Sequence, residues 1–90
     1  MNVELDRGVI KTLLRFPKDL RREIFDHITK LEKPESIPSS ECLFPAKNIY
    51  RIHIGRRYTI IYKILKEANT VLVLDLMTIE QAHKRYRRYR

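Results

Sequence analysis

One stretch, Tyr50-Arg51-Ile52-His53-Ile54-Gly55-Arg56-Arg57-Tyr58-Thr59-Ile60-Ile61-Tyr62, constrains the fold more than any other part of the chain. Side chains alternate across a strand, so Tyr50, Ile52 and Ile54 fall on one face while Ile49, Arg51 and His53 fall on the other. Gly55 suits a tight reversal. Beyond it Tyr58, Ile60, Tyr62 and Ile64 line one face, and Arg57, Thr59, Ile61 and Lys63 line the opposite one. Two adjoining strands of this pattern predict a sheet that buries one side and offers the other, with its cations, to a polyanion.

The elements around this hairpin follow from period and punctuation. Asn2 to Leu5 reads as a short strand, and Asp6 as the cap of a helix whose apolar stripe is Val9, Ile10, Leu13 and Leu14. Phe16-Pro17 breaks that helix, and Pro17 suits the first turn of a second one, with Leu20, Ile24, Ile28 and Leu31 at helical spacing. Lys33 to Ala46 holds Pro34, Pro38 and Pro45 with Ser36, Ser39 and Ser40 between them, which predicts a connector without regular structure. After Tyr62, Glu67 to Thr70 can turn the chain into a strand from Val71 to Met77. There Leu72, Leu74 and Leu76 are expected on one face and Val71, Val73, Asp75 and Met77 on the other. Thr78 to Gln81 spells a capping box, so a terminal helix starts there with Ile79, Ala82, Tyr86 and Tyr89 as its less polar stripe. The fold class is α+β: an N-terminal strand and helical hairpin packed on a mostly antiparallel sheet, with a three-strand meander and then a short basic C-terminal helix.

Ninety residues predict a single domain spanning 1–90. A chain of this size buries only about 60–65% of its unfolded surface, so a partner protein adds much to its stability. Nineteen Lys and Arg against eleven Asp and Glu give a net charge of +8, which favours nucleic acid, an acidic protein or an anionic membrane surface as partner. No run approaches the ~18 apolar residues of a membrane span, and no basic leader precedes an apolar stretch. The single Cys42 has no partner for an internal disulfide and fits the cytoplasm. Three scattered histidines lack ligand spacing, and Gly8 and Gly55 cannot make a phosphate loop, so neither metal nor cofactor is expected.

The motif Tyr50-Arg51-Ile52-His53-Ile54-Gly55, the tyrosines Tyr58 and Tyr62, the strand that follows and the basic, tyrosine-containing end resemble the RelE/ParE toxin superfamily. The helix hairpin with a proline in its turn fits the same pattern. The resemblance spans nearly the whole chain as architecture and is concentrated, in residue identity, at positions 49–62 and 83–89. It implies the toxin of a toxin–antitoxin pair, neutralised by an antitoxin whose extended tail wraps it. RelE-like members cut messenger RNA in the ribosomal A site, whereas ParE-like members inhibit DNA gyrase. RelE-like nucleases place two basic residues at alternate positions of the first meander strand, where Arg51 and His53 stand. They carry an arginine directly after the tyrosine that opens the next strand; Thr59 stands there, with Arg56 and Arg57 just before Tyr58. Many carry another arginine just beyond the last strand; here Thr78 and Ile79 stand, and His83, Lys84, Arg85 and Tyr86 come slightly later. These can substitute if the terminal helix folds back over the sheet.

RNA cleavage without metal needs a base for the 2′-hydroxyl, cations for the crowded phosphate and an acid for the leaving 5′-oxygen. His53 is the acid–base candidate, because imidazole titrates near pH ~6.5, and Arg51 can clamp a phosphate through two oxygens. With Arg57, Arg85 and Tyr86 they form the expected catalytic set. Lys47, Arg56, His83, Lys84, Arg87, Arg88 and Tyr89 form the expected RNA-contacting set, to which Arg90 adds charge. Blander readings stand beside these. His53 is then a solvent-facing strand residue, His83 a polar residue of an exposed helix, His27 a structural residue, and the basic tail a solvated charge run. Asp75 either orients a basic side chain or faces solvent. The leading expectation is a cytoplasmic RelE-like toxin that cuts ribosome-bound messenger RNA, with an acidic antitoxin as partner. The alternatives are a ParE-like toxin or inactive relative that binds a protein such as DNA gyrase, which Thr59 favours, and a plain basic nucleic-acid-binding module.

Overall fold

The computed structural model describes residues 1–89; Arg90 of the expected basic tail lies outside them. A short strand, β1 (Asn2–Leu5), leads to Asp6, whose carboxylate accepts the Gly8 N–H at 3.2 Å and caps α1 (Arg7–Arg15). Val9 and Leu13, one turn apart, form the buried stripe of α1. The helix stops at Phe16 because Pro17 forces the residue before it out of the helical region, to φ −79° and ψ 151°. Pro17 itself takes the cap position of α2 (Lys18–Thr29), one residue ahead of the first turn it was expected to occupy. Ile24 and Ile28 of α2 are joined in the core by Leu31 of the 3₁₀ turn Lys30–Glu32.

The proline-rich connector carries more order than its composition predicts. A 3₁₀ turn at Pro34–Ser36 is followed by a strand, β2 (Glu41–Phe44), which forms in the proline-free window between Pro38 and Pro45. It pairs antiparallel with β3 (Ile49–Ile54) at the sheet edge, where a strand needs only one neighbour. Gly55, at φ +61°, then turns the chain into β4 (Tyr58–Leu65), and β5 (Thr70–Thr78) completes the meander. Among the described residues the sheet order is β1-β5-β4-β3-β2, antiparallel except for β1 beside β5.

The expected faces of β5 need correction. Ile60 pairs with Leu76 and Ile61 with Asp75, but Tyr62 pairs with Val73, so Leu74 is an extra residue in a β-bulge. A bulge shifts the alternation by one. Val71, Val73 and Leu76 therefore share the helix-covered core, while Leu74 and Met77 belong to the opposite face.

Both faces are covered at the centre. Thr59, Ile60 and Ile61 are 0% exposed and Tyr62 1%. One side meets α1 and α2. The other, expected to lie open to a polyanion, is roofed by α3 (Ile79–Arg85) and the 3₁₀ turn Tyr86–Tyr89. Thr78 starts α3 with a complete capping box, its hydroxyl accepting the Gln81 N–H while the Gln81 carboxamide accepts the Thr78 N–H, each at 3.1 Å. Ala82 of α3 is buried against Ile49, Ile61 and Met77 of the sheet. Among the described residues no helix is long and apolar enough to cross a membrane.

Candidate functional site on the tail-covered face

Strand register lines up Glu41 of β2, Arg51 of β3, Ile61 of β4 and Asp75 of β5 as one row across the tail-covered face. Neighbouring strands lie about 4.8 Å apart, so the row spans about 14 Å. A second row, two residues further along β3, holds His53, Thr59 and Met77.

Arg51 is the hub of the first row. Its Nη2 and Nε donate to Glu41 Oε2 at 2.6 and 3.2 Å, and its Nη1 donates to the Tyr86 hydroxyl at 2.5 Å. The guanidinium carbon also lies 5.2 Å from the centre of the Tyr86 ring. The Arg51 side chain is 17% exposed and that of Glu41 58%, so the anion sits at the rim and the cation reaches inward. The hydrogen bond and charge of Arg51 hold the Glu41 carboxyl below its ordinary range.

His53 is half-buried, and its Nδ1 is buried without a hydrogen-bond partner among the described residues. Burial pushes its pKa below the ordinary 6.5; the charges of Arg51 and His83 push the same way, and Glu41 opposes them. The ring is thus neutral near pH 7, the form in which an imidazole accepts a proton.

Thr59, where the resemblance expects an arginine, faces His53 across the strand pair. It is fully buried, and its hydroxyl donates to the Ile52 carbonyl at 3.0 Å. A guanidinium there would have to be desolvated in the layer between sheet and tail. The position is closed to a cation by packing.

The remaining candidates divide by location. His83 meets the Tyr86 ring edge-on, 5.5 Å between centroids, and lines a hollow with Arg56 and Arg57 at the β3–β4 turn. The Arg57 carbonyl accepts the Ile79 N–H at 2.8 Å, which ties that turn to the start of α3. Arg85, expected in the catalytic set, instead lines a groove with Arg15 of α1 and is not brought to Arg51. Lys47 lies at the other end of the hairpin with Lys63 and Lys66. Lys84, Arg87 and Arg88 are exposed along the tail.

Tyr89 turns inward: its hydroxyl donates to the Asp75 carboxylate. Burial first, and then Asp75, raise the phenol well above its ordinary 10.0. Asp75 therefore holds a tyrosine, where the sequence suggested either a basic partner or solvent. Glu41 was hidden from sequence reasoning by the prolines around it. Its one signal is the short apolar run Cys42-Leu43-Phe44 that follows it.

Residues 3–89 match the model of a family described as the ParE toxin of type II toxin–antitoxin systems. The chain belongs to this toxin family. Its fold is that of RelE toxins. The isolated RelE toxin of E. coli superposes with a TM-score of 0.71 at 16% identity, over 93% of this chain and 96% of that one. The archaeal RelE–RelB complex from Pyrococcus horikoshii gives 0.75 at 23% identity, over 86% and 92%. A metal-bound toxin from Helicobacter pylori gives 0.68 at 18%, over 90% and 97%. No curated protein sequence matches the chain. Among the described residues of this toxin, no group of three or more His, Cys, Asp or Glu side chains is arranged to hold a metal ion.

Proposed function

We propose that this toxin arrests translation in the cytoplasm by cleaving messenger RNA on the ribosome, and that a cognate acidic antitoxin silences it. One observation carries the reading: the half-buried His53 shares a strand face with Arg51 beneath a tail that carries His83 and Tyr86. His53 takes the proton from a 2′-hydroxyl, and the freed oxygen attacks the adjacent phosphorus. The bond from phosphorus to the 5′-oxygen breaks. His83 returns a proton to that oxygen, leaving a 2′,3′-cyclic phosphate and a 5′-hydroxyl. Arg51, with Arg56 and Arg57 at the turn, offsets the charge that builds on the phosphate. Glu41, exposed at the rim, gives way as the phosphate arrives. The net charge of +8 suits both RNA and an acidic antitoxin, and the Pyrococcus horikoshii relative was solved in complex with RelB.

The test is translation with purified toxin and ribosomes, mapping messenger RNA 5′ ends. New ends within the reading frame, absent with His53→Ala, support the proposal; intact messenger RNA at high concentrations of folded toxin refutes it.

A second reading has specific support. Thr59 stands where a nuclease arginine is expected, and Arg51 already binds Glu41 and Tyr86. Both favour a toxin that acts by binding a protein such as DNA gyrase. Inhibition of gyrase supercoiling without RNA cleavage would select it.

A further inference from the structure

We propose that Asp75 is the positioning residue of this face: by holding the Tyr89 hydroxyl, it sets Tyr86 against Arg51. The effect on rate rests on the RNA-cleaving reading; the effect on geometry does not.

Arg51, Ile61 and Asp75 form one row across three strands. Its outer members lie two strand spacings apart, about 9.6 Å, with the fully buried Ile61 between them. The tail above them is a 3₁₀ turn, Tyr86–Tyr89. With three residues per turn, side chains at i and i+3 project from the same side, about 6 Å apart along the axis. The two tyrosines therefore straddle Ile61. Tyr86 accepts from Arg51 on β3, and Tyr89 donates to Asp75 on β5. The tail is pinned at both ends across the strand that separates them.

The bulge makes this possible. Without Leu74 as an extra residue, the alternation of β5 that buries Val71 and Val73 under the helices would carry Asp75 to that same side. The bulge turns Asp75 toward the tail and brings it into register with Arg51. At the other end of the tail, the capping box and buried Ala82 fix the start of α3. Tyr86 opens the 3₁₀ turn as the C-cap of α3, its N–H donating to the Ala82 carbonyl. A turn this short has little stability of its own, so the bond to Asp75 holds it from the far end and fixes how the Tyr86 ring lies against Arg51.

The experiment compares wild type, Asp75→Ala, Asp75→Asn and Tyr89→Phe in two measurements. The first is the NMR resonance of the Arg51 Nε–Hε group, which senses the Tyr86 ring. It is expected to move in Asp75→Ala and Tyr89→Phe toward its position in Tyr86→Ala, and to stay near wild type in Asp75→Asn, which keeps an acceptor. The second is RNA cleavage. Here kcat is expected to fall about tenfold in Asp75→Ala and Tyr89→Phe, with KM within about twofold, and the double variant to be no worse than either alone. Should Asp75→Ala fail to fold, Tyr89→Phe decides, because it removes a single hydroxyl. An Arg51 resonance unmoved in folded Tyr89→Phe overturns the proposal. Wild-type protein that cleaves no RNA overturns the nuclease reading instead, and the resonance alone then upholds or overturns the role of Asp75.

Discussion

The two faces of this sheet are built on different principles. Under α1 and α2, Val9, Leu13, Ile24, Ile28 and Leu31 meet Ile52, Ile54, Ile60, Tyr62, Val71, Val73 and Leu76. That core is continuous and apolar, and every member but Leu76, which the bulge brings in, follows from helical or strand period. Under the tail the apolar patch is small, with Ile49, Ile61, Met77 and Ala82 at its centre. Around it stand Glu41, which accepts from Arg51, then Arg51 and Asp75, each hydrogen-bonded to a tyrosine, and His53, whose Nδ1 is left without a partner among the described residues. The first face holds the chain together, and the second spends part of that stability on exposed and half-buried polar groups. Polar groups of this kind persist where chemistry or recognition needs them.

Truncations on the two faces should therefore fail differently. Ile24→Ala or Tyr62→Ala should remove about 2–5 kcal/mol of stability, a large share of the roughly 5–15 typical of a domain, read by urea denaturation. His53→Ala should leave the denaturation midpoint close to wild type, since it deletes a nitrogen that satisfies nothing, while RNA cleavage falls about 10²–10⁴-fold. Unfolding by His53→Ala would erase the contrast. Thr59→Arg sharpens it. Restoring the arginine of the family pattern should cost about 3–5 kcal/mol, because the charge enters a closed layer, and should not raise cleavage. Enhanced cleavage by a stable Thr59→Arg protein would mean that the layer opens.

The pH dependence separates the faces more finely. The folded-state pKa of His53 lies below the ordinary 6.5, so as pH falls the unfolded chain takes up this proton before the folded one. Stability should fall as pH drops from 6.5 through the lowered value, and His53→Leu should flatten that decline in pH-resolved melting curves. The acid limb of cleavage should have its midpoint below pH 6.5 for the same reason. The smallest effect is expected at the rim. Glu41→Gln should leave the melting midpoint unchanged within error, yet tighten RNA binding by removing the carboxylate that competes for Arg51.

Much of the apolar face was legible because period suffices there. Asp6 as a cap, Phe16-Pro17 as a break and the capping box at Thr78 each carry a local mechanism that short sequence displays. Arg51 and His53 were legible as a pair for the same reason, since alternate positions on one strand must share a face. What stayed hidden depends on contacts distant in sequence. The bulge at Leu74 arises from pairing with β4 and reverses the faces of Leu76 and Asp75. The edge strand at Glu41 forms only because β3 offers it a partner. Arg85 was expected in the catalytic set and His83 in the RNA-contacting set, yet it is His83 that lines the β3–β4 turn while Arg85 faces α1. Tyr89 was expected both in the less polar stripe of the tail and among the RNA contacts, and a carboxylate that the bulge turned toward it holds it in place.

The division of labour between the faces can be tested most directly by NMR titration with an RNA oligonucleotide whose 2′-hydroxyls are methylated, so that it binds without being cut. Resonances of Arg51, His53, His83 and Tyr86 are expected to move with saturating RNA, while those of Ile24, Ile60 and Val73 stay still. A footprint on α1 and α2 that leaves Arg51 and His53 untouched would contradict the assignment.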